Sequence, residues 1–261
     1  MTRPVGVFDS GIGGFSVLRA LRAELPHQPF VYVADSGHAP YGERESGHVI
    51  ERSQAIARHL IQAHDIQALV VACNTATAAA IALLREQHPE LPIIGVEPAL
   101  KPAAQVSRTH RVGVMATRST LQSAKFQALL ATLKDQAEFV LQPCDGLADA
   151  IERQDFERAL ALSRSYTAAM GRFGNDGIDT VVLGCTHYPL IADTLQDLLG
   201  PQVTLVDSGA PVARQTRRVL PEPAVTGHPL PHLSTTGHPE PLRAAVDRWL
   251  QPQFAIETLR G

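Results

Sequence analysis

Two cysteines in this chain each end a short apolar run, and each is followed by side chains that can exchange protons or hydrogen bonds. Residues 69–75 read LVVACNT, and residues 180–187 read TVVLGCTH. A thiol at the carboxyl end of a parallel strand lies where such sheets bind ligands, and it faces the amino end of the next helix. The free N–H groups and dipole of that helix end favour an anion, so Cys73 and Cys185 are candidates for thiolate chemistry.

Two matched thiols are compatible with several chemistries. A thiol protease or amidase needs one cysteine with a histidine, a redox pair needs sulfurs close enough to bond, and a zinc site needs more ligands at closer spacing. The repetition favours a fourth possibility, in which two acid–base groups act on opposite faces of one carbon. One thiolate removes a proton and the opposite thiol returns one, which inverts the configuration. Cysteine suits this role because its free pKa of about 8.5 is nearer neutrality than that of lysine or tyrosine.

The neighbours of the two cysteines supply possible proton and hydrogen-bond partners. Asp9 follows the first apolar run of the chain and could assist Cys73, whereas His187 could assist Cys185. The charge that develops beside a substrate carboxylate needs N–H and O–H donors at the same strand ends. Residues with such donors are Ser10, Asn74, Thr75 and Thr186. A polar loop after the second apolar run ends in Tyr41 and Gly42, which are candidate ligand contacts.

The elements that must position these side chains occur twice. Residues 5–10, 30–34, 69–73 and 92–96 have strand character, and residues 111–117, 139–141, 180–185 and 202–207 echo them in the same order. Helical patterns lie between these runs, at residues 48–64, 76–85 and 125–133. Alternation of strand and helix predicts parallel βαβ units.

The predicted fold class is therefore α/β, with two similar flavodoxin-like domains, parallel sheets and the active site in the cleft between them. The first domain is predicted to comprise residues 1–97 and 208–261, and the second residues 98–207. Within the returning tail, residues 221–241 are rich in Pro, Gly and His and predict a surface loop, with a short strand near residues 233–237. Residues 242–250 predict an amphipathic helix that packs back on the first domain.

Composition and charge exclude several classes of protein. Of the 261 residues, 44% are apolar, which argues against disorder, and a net charge of −3 does not suggest a nucleic-acid or membrane-surface partner. The three cysteines are far apart in sequence, so a disulfide framework is not expected. A reducing compartment is expected instead. The turn at residues 11–14 has the spacing G-x-G-G, which is not the dinucleotide fingerprint. Neither a cofactor nor a metal is predicted, and the start of the chain shows no signal peptide.

Four motifs together resemble those of the bacterial glutamate racemases. They are FDSGIGG at 8–14, PYG at 40–42, ACNT at 72–75 and LGCTHYPL at 183–190. The resemblance extends from residue 5 to about residue 209. It implies two α/β domains with the site between them and a cofactor-independent interconversion of L- and D-glutamate by two bases. Because D-glutamate feeds peptidoglycan synthesis, it also implies a cytoplasmic enzyme of cell-wall biogenesis, commonly a homodimer.

The resemblance also implies roles for individual residues. Cys73 would exchange the α-proton of D-glutamate and Cys185 that of L-glutamate. Asp9, His187 and Glu152 would assist catalysis, with Glu152 acting on the Cys185 side. The residues implied to bind substrate are Asp9, Ser10, Tyr41, Gly42, Asn74, Thr75, Thr186 and His187. Since the chain begins almost at its first strand, control by a cell-wall precursor is not expected.

Two other functions remain open at this stage. One is racemisation of a different amino acid, such as aspartate, by an enzyme of the same superfamily. The other is a non-catalytic module that binds an amino acid in the same cleft. Binding alone does not require two matched thiols, so Cys73 and Cys185 together favour an enzyme.

Overall fold

The computed structural model describes residues 3–221, 227–250 and 256–259. The predicted surface loop at 221–241 therefore lies partly outside the described residues, at 222–226. In chain order the strands are β1 (Val5–Asp9), β2 (Phe30–Ala34), β3 (Ala68–Val71), β4 (Ile93–Gly95), β5 (Arg111–Ala116), β6 (Glu138–Pro143), β7 (Thr180–Leu183), β8 (Thr204–Val206), β9 (His232–Thr235) and β10 (Ile256–Thr258).

The helices alternate with these strands. They are α1 (Phe15–Glu24), α2 (Ser46–His64), α3 (Asn74–Gln87), α4 (Leu100–Val106), α5 (Arg118–Gln122), α6 (Ala124–Ala131), α7 (Leu147–Glu152), α8 (Phe156–Met170), α9 (Ala192–Leu199), α10 (Gly209–Val219) and α11 (Pro239–Trp249). Short 3-10 turns occur at Ser36–His38, Tyr41–Glu43 and Tyr188–Ile191. Within the described residues, no helix is both long and apolar enough to cross a membrane.

The strands form two separate parallel sheets. The first has the order β10-β9-β2-β1-β3-β4 and the second the order β6-β5-β7-β8. Numbered within its own unit, each sheet contains the order 2-1-3-4, which is the start of the flavodoxin-like order. The predicted fold class of two similar parallel α/β units is thus confirmed. The four strand echoes in the sequence correspond to β5–β8 repeating β1–β4.

The central strands are buried along their whole length and are mostly apolar, as expected for parallel sheets with both faces covered. Every residue of β1, β2, β3 and β7 is buried. Continuous apolar runs of this kind are typical of parallel sheets and differ from the alternation of a half-exposed strand. The polar side chains of the predicted site begin at the carboxyl edge, with Asp9 at the end of β1 and the residues that follow β3 and β7.

An apolar core also extends between the two units. Ile12 and Phe15 from the first unit belong to the same buried cluster as Ile151 and Tyr188 from the second. The carboxyl edges of the two sheets are thereby brought together. The predicted domain boundary, with residues 98–207 as the second domain, stays a prediction, although β9 and β10 join the first sheet.

The C-terminal helix α11 contacts more than the first unit. The indole Nε1 of Trp249 donates a hydrogen bond to the Leu190 carbonyl at 3.0 Å, and the ring lies 6.1 Å from that of Phe156, centroid to centroid. Phe156 and Leu190 both belong to the segment between β6 and β8. The helix also contacts β10 of the first sheet, so it lies over both units.

Candidate active site

The turn between β1 and α1 buries a carboxylate at the edge of the first sheet. Asp9 is fully buried, and its Oδ1 accepts hydrogen bonds from the Gly11 amide at 2.9 Å and the Ser10 hydroxyl at 3.1 Å. Its Oδ2 accepts a hydrogen bond from the Thr186 hydroxyl at 2.7 Å. Since Thr186 follows β7 in the other sheet, Asp9 is bonded to both units.

Cys73 lies between β3 and α3 and is the N-cap residue of that helix. Its Sγ accepts a hydrogen bond from the Ala76 amide at 3.4 Å, and the Ser10 hydroxyl lies 4.0 Å away. The residue is 5% exposed. A sulfur that caps the amino end of a 14-residue helix is placed where a negative charge is favoured.

Cys185 occupies the corresponding place after β7. It is 7% exposed, and its Sγ lies 3.8 Å from Nδ1 of His187. The backbone turns here into the 3-10 segment Tyr188–Ile191, which directs His187 back toward the sulfur. The Ser16 hydroxyl of α1 donates to the Thr186 carbonyl at 2.9 Å, so this turn too is held by the first unit.

Glu152, at the end of α7, connects His187 to the first unit. Its Oε2 lies 2.7 Å from Nε2 of His187 and accepts a hydrogen bond from the Ile12 amide at 2.8 Å. Its Oε1 accepts from the Ser36 hydroxyl at 2.9 Å. The structure therefore places this residue, which the resemblance implied, in the same cluster as Cys185 and His187.

The glycines of the first turn are required by close contact with this cluster. A Cβ added at Gly13 would lie 2.3 Å from Nδ1 of His187, and one at Gly11 would lie 2.1 Å from Oε2 of Glu152. Both distances are far inside van der Waals contact. The glycines of the sequence GIGG at 11–14 thus allow the two units to approach each other closely at the site. This contact accounts for the glycine-rich turn, and no bound nucleotide is needed to explain it.

Burial and neighbouring charges shift the pKa values of three groups in the site, Asp9, Cys73 and His187. Burial raises the pKa of Asp9 to about 6, although His187 and the Thr186 hydrogen bond oppose the shift. Burial, reinforced by the Asp9 charge, also raises the pKa of the Cys73 thiol. Burial would lower the pKa of His187, but its contacts with Cys185 and Glu152 outweigh that effect and raise the pKa well above its usual value. The thiol of Cys73 therefore holds its proton, and His187 is an imidazolium at neutral pH.

The loop after β2 brings the remaining predicted contacts to the same edge. Tyr41 is buried, and its hydroxyl donates to Oδ2 of Asp35. Gly42 packs against Thr117, with 2.7 Å between a Cβ built on the glycine and Cγ2 of the threonine. The hydroxyl oxygens of Thr75 and Thr117 are 3.2 Å apart across the two units.

The side-chain amide of Asn74 has a donor without a partner in the part of the chain that the structure describes. Its Nδ2 is buried, and no hydrogen bond to it is formed by the described residues. An unsatisfied buried amide costs free energy, so this group marks a position that favours an acceptor. A cavity beside Cys185 is lined by Asn74 and Thr186, and a larger one of about 370 Å³ extends from Thr75 past Ser119 to Arg44.

Several residues of this cluster were not identified from the sequence. They are Asp35, Ser36, Arg52, Thr117 and Thr120. Asp35 and Ser36 belong to the polar loop, from which only Tyr41 and Gly42 were selected. The repeat contained a signal for Thr117, because residues 111–117 echo residues 5–10 and Thr117 follows β5 as Ser10 follows β1.

All three cysteines, Cys73, Cys144 and Cys185, are free thiols. Within the described ranges, no group of three or more His, Cys, Asp or Glu side chains has an arrangement that could hold a metal ion. The site is consequently a cluster of buried thiols, carboxylates, one imidazole and hydroxyls. Such groups carry out proton transfer and bind carboxylates through N–H and O–H donors.

Comparison with known proteins places this arrangement among racemases. Residues 16–216 match the family described as Asp/Glu/hydantoin racemase. A protein of Ectopseudomonas mendocina named glutamate racemase is 50% identical over 217 residues, which are 83% of this chain and 82% of that protein.

Solved structures agree over nearly the whole chain. A glutamate racemase isoform of Bacillus anthracis is 30% identical with a TM-score of 0.87, covering 99% of this chain and 97% of its own. The Escherichia coli glutamate racemase, solved with L-glutamate and the activator UDP-MurNAc-Ala, is 29% identical with a TM-score of 0.84, covering 99% and 100%.

Proposed function

The chain belongs to the Asp/Glu/hydantoin racemase family and is a racemase, and from this we propose that it interconverts L- and D-glutamate without a cofactor by means of two thiols. The choice of glutamate is supported by relatives and structural neighbours that are named glutamate racemases. One observation carries the two-thiol mechanism: Cys73 and Cys185 each come two residues after the equivalent strand, β3 or β7, of two sheets that share the strand order 2-1-3-4.

In the proposed reaction, substrate binds with its α-carbon between the two sulfurs. One thiolate takes the α-proton, and the electron pair left on carbon is delocalised into the adjacent carboxylate. The opposite thiol donates its proton to the other face of the same carbon. The two sulfurs thereby exchange protonation states, and the configuration is inverted with no net change in atoms.

The surroundings of the two sulfurs support different roles for them. The thiol of Cys73 is kept protonated by burial and by Asp9, so it can return a proton to the substrate. The His187 imidazolium lies 3.8 Å from the sulfur of Cys185, on the side where the second base is needed. In line with the family's assignment, we propose that Cys185 removes the α-proton of L-glutamate and that Cys73 protonates the opposite face.

Binding of a dicarboxylate is supported by the donors around the thiols. The free Nδ2 of Asn74 and the amino end of α3 favour a carboxylate beside Cys73. The hydroxyls of Thr75 and Thr117 make the same edge polar from both units, and the Thr186 hydroxyl, which donates to Asp9, holds that carboxylate beside them. We assign Ser10, Tyr41, Gly42 and His187 to the same binding surface, together with Asp9.

The biological setting is part of the proposal. D-glutamate is consumed in peptidoglycan synthesis, which takes place in bacteria, so we assign the enzyme to cell-wall biogenesis in the cytoplasm. We further propose a homodimer, in line with the resemblance described above. No nucleic-acid or membrane partner is proposed.

Circular dichroism of the purified chain tests the substrate. Loss of the optical signal of L-glutamate, to zero at completion, is the expected result, with the same end point reached from D-glutamate. Faster loss with L-aspartate would instead assign the enzyme to aspartate. Absence of turnover with either amino acid would leave a binding function and remove the proposed one.

A further inference from the structure

Ser36 has no role in the proposed reaction so far, yet its hydroxyl reaches the acid that contacts His187. It begins the 3-10 turn Ser36–His38 directly after Asp35 and is half-buried. Its Oγ donates to Oε1 of Glu152 at 2.9 Å. These residues are 116 positions apart in the chain and belong to different sheet units.

The two oxygens of Glu152 are held differently. Oε2 has two partners, Nε2 of His187 and the Ile12 amide. Among the described residues, the Ser36 hydroxyl is the partner of Oε1. The Ser36 hydrogen bond therefore adds a restraint at the second oxygen, and it opposes rotation of the carboxylate about its Cγ–Cδ bond together with the two bonds at Oε2.

The loop that carries Ser36 is itself rigid. Asp35 accepts hydrogen bonds from Nε and Nη2 of Arg52 at 3.0 and 2.9 Å and from the Thr236 hydroxyl at 2.7 Å. The Tyr41 hydroxyl donates to the same carboxylate. Ser36 thus stands on a backbone that is fastened to α2 and to the end of β9.

We infer that Ser36 is a positioning residue: by fixing Glu152, it orients the His187 ring toward Cys185 and maintains the imidazolium beside that sulfur. This inference rests on the proposed function. It assigns to the first unit a part in setting the acid–base state of the second unit's thiol. It also connects the Tyr41–Gly42 segment, on the same loop, to the orientation of Glu152.

The charged and titratable groups around Glu152 determine the sign of the effect. His187 faces it from the second unit, and Asp9 and Tyr32 interact with it from the first. On its own helix, Asp149 is paired with Arg153 and Arg158. Loss of the Ser36 hydrogen bond weakens the hold of Glu152 on His187, and this lowers the pKa of the imidazolium. The basic limb of the activity profile then moves to lower pH.

The test compares Ser36→Ala, Ser36→Thr and Thr236→Val. Ser36→Ala is expected to reduce kcat about threefold to tenfold with a smaller change in KM, and to move the basic limb of kcat/KM to lower pH. Ser36→Thr keeps the hydroxyl, so its kcat and the position of its basic limb should be those of the wild type. Thr236→Val removes one hydrogen bond to Asp35, while Arg52 and Tyr41 still hold that carboxylate, so the Ser36–Glu152 contact is kept and the basic limb should stay where the wild type has it.

Two results would overturn the inference: an unchanged pH profile in Ser36→Ala, or an equal shift in Thr236→Val, which would indicate a merely structural role for the loop. An NMR titration of the His187 ring in the ligand-free protein gives a readout that does not depend on activity. It should show a lower pKa in Ser36→Ala, and equal values would refute the inference. If the wild type fails to racemise glutamate while this titration still shifts, the proposed function fails and the positioning role stands.

Discussion

Thr186 donates its hydroxyl to the Asp9 carboxylate at 2.7 Å, and this hydrogen bond joins the carboxyl edges of two sheets that occupy different parts of the chain. A second hydrogen bond, 2.8 Å long, runs from the Ile12 amide to Glu152 and also connects the two units. Each thiol therefore has an acid–base neighbour whose position depends on both units. The reactivity of each sulfur therefore depends on the contact between the two sheet units.

Asp9 should control the acidic side of the pH profile. Burial raises its pKa to about 6, so its negative charge, which increases the basicity of Cys73, is lost as pH falls through that value. We expect kcat/KM to decline below about pH 6. Asp9→Asn should remove this limb and lower kcat by about 10²- to 10⁴-fold.

Thr186→Val provides the matched variant for this effect. The Thr186 hydrogen bond lowers the pKa of Asp9, so its loss should move the acidic limb to higher pH. The measurement is kcat/KM for glutamate between pH 5 and 9, with circular dichroism spectra to verify folding. An acidic limb that persists unchanged in Asp9→Asn would assign it to another group.

Substrate isotope effects should distinguish the two thiols. The enantiomers have equal free energy, so kcat/KM is the same in both directions for any variant, and the difference must be sought in the proton-transfer steps. Cys73→Ser should enlarge the primary isotope effect with α-deuterated D-glutamate, because the poorer base now removes that deuteron. With α-deuterated L-glutamate, removal by Cys185 remains fast, and the isotope effect should shrink.

Cys185→Ser should give the reverse pattern. Activity that survives Cys73→Ala and Cys185→Ala separately would refute the two-base mechanism. Cys144→Ala serves as a control for the loss of a buried thiol, because the Cys144 Sγ donates to the Gln142 carbonyl at 3.4 Å and has no part in the proposed reaction. Its isotope effects should match those of the wild type.

The strands and the two cysteines were predictable because their signals are local. An apolar run such as β3 or β7 is recognisable by itself, and its repetition identifies the second unit. The contact of Glu152 with Ile12 spans 140 positions and leaves no local pattern, so the resemblance, rather than any periodicity, pointed to that acid. Helix α8 (Phe156–Met170) was not predicted, although Asp155 caps it by accepting from the Arg158 amide at 3.0 Å.

Gly13→Ala should abolish most activity without unfolding the protein. The added methyl would lie 2.3 Å from Nδ1 of His187 and 2.8 Å from Oγ1 of Thr186, so the two units must move apart there. A displacement of about 1 Å at a catalytic group can cost about 10²-fold in rate, and a loss of this order in kcat is expected.

Gly47→Ala is the control for this substitution. No atom of the described residues lies within 4 Å of a Cβ built at Gly47, which is in the first turn of α2. Activity should equal that of the wild type, and stability should rise by up to about 1 kcal/mol because alanine favours a helix. Equal activity in Gly13→Ala and Gly47→Ala would show that the close approach of His187 is unimportant.

Arg52→Met should destabilise the protein through Asp35. Burial would raise the pKa of Asp35, but hydrogen bonds from Arg52, Tyr41 and Thr236 lower it below its usual value. The Asp35–Arg52 pair therefore stabilises the fold fully at pH values above the unfolded-state pKa of Asp35, which is near 4. This stabilisation is lost as the pH falls through the lower pKa that Asp35 has in the folded protein. Removing one partner of a buried pair costs about 3–5 kcal/mol, and the remaining donors place the expected loss near the lower figure.

Urea unfolding at pH 7 and at pH 4 measures this loss. The difference in the free energy of unfolding between wild type and Arg52→Met should be smaller at pH 4. At that pH the Asp35 carboxylate, which has lost its arginine partner in the variant, becomes protonated and its burial costs less. Arg58→Met, at an exposed position of the same helix, should stay within about 0.5 kcal/mol of the wild type. An equal loss in both variants, or a gap that widens at pH 4, would contradict the assigned charge state of Asp35.

The most direct test of the two-base claim is racemisation of L-glutamate in D₂O by the purified chain, with no cofactor added and mass analysis of each enantiomer at early times. Because the sulfur that removes the proton differs from the one that returns it, the D-glutamate formed should carry an α-deuteron while the remaining L-glutamate keeps its α-proton. Deuterium entering the recovered L-glutamate as fast as the product, or product that retains the original proton, would mean that a single base serves both faces.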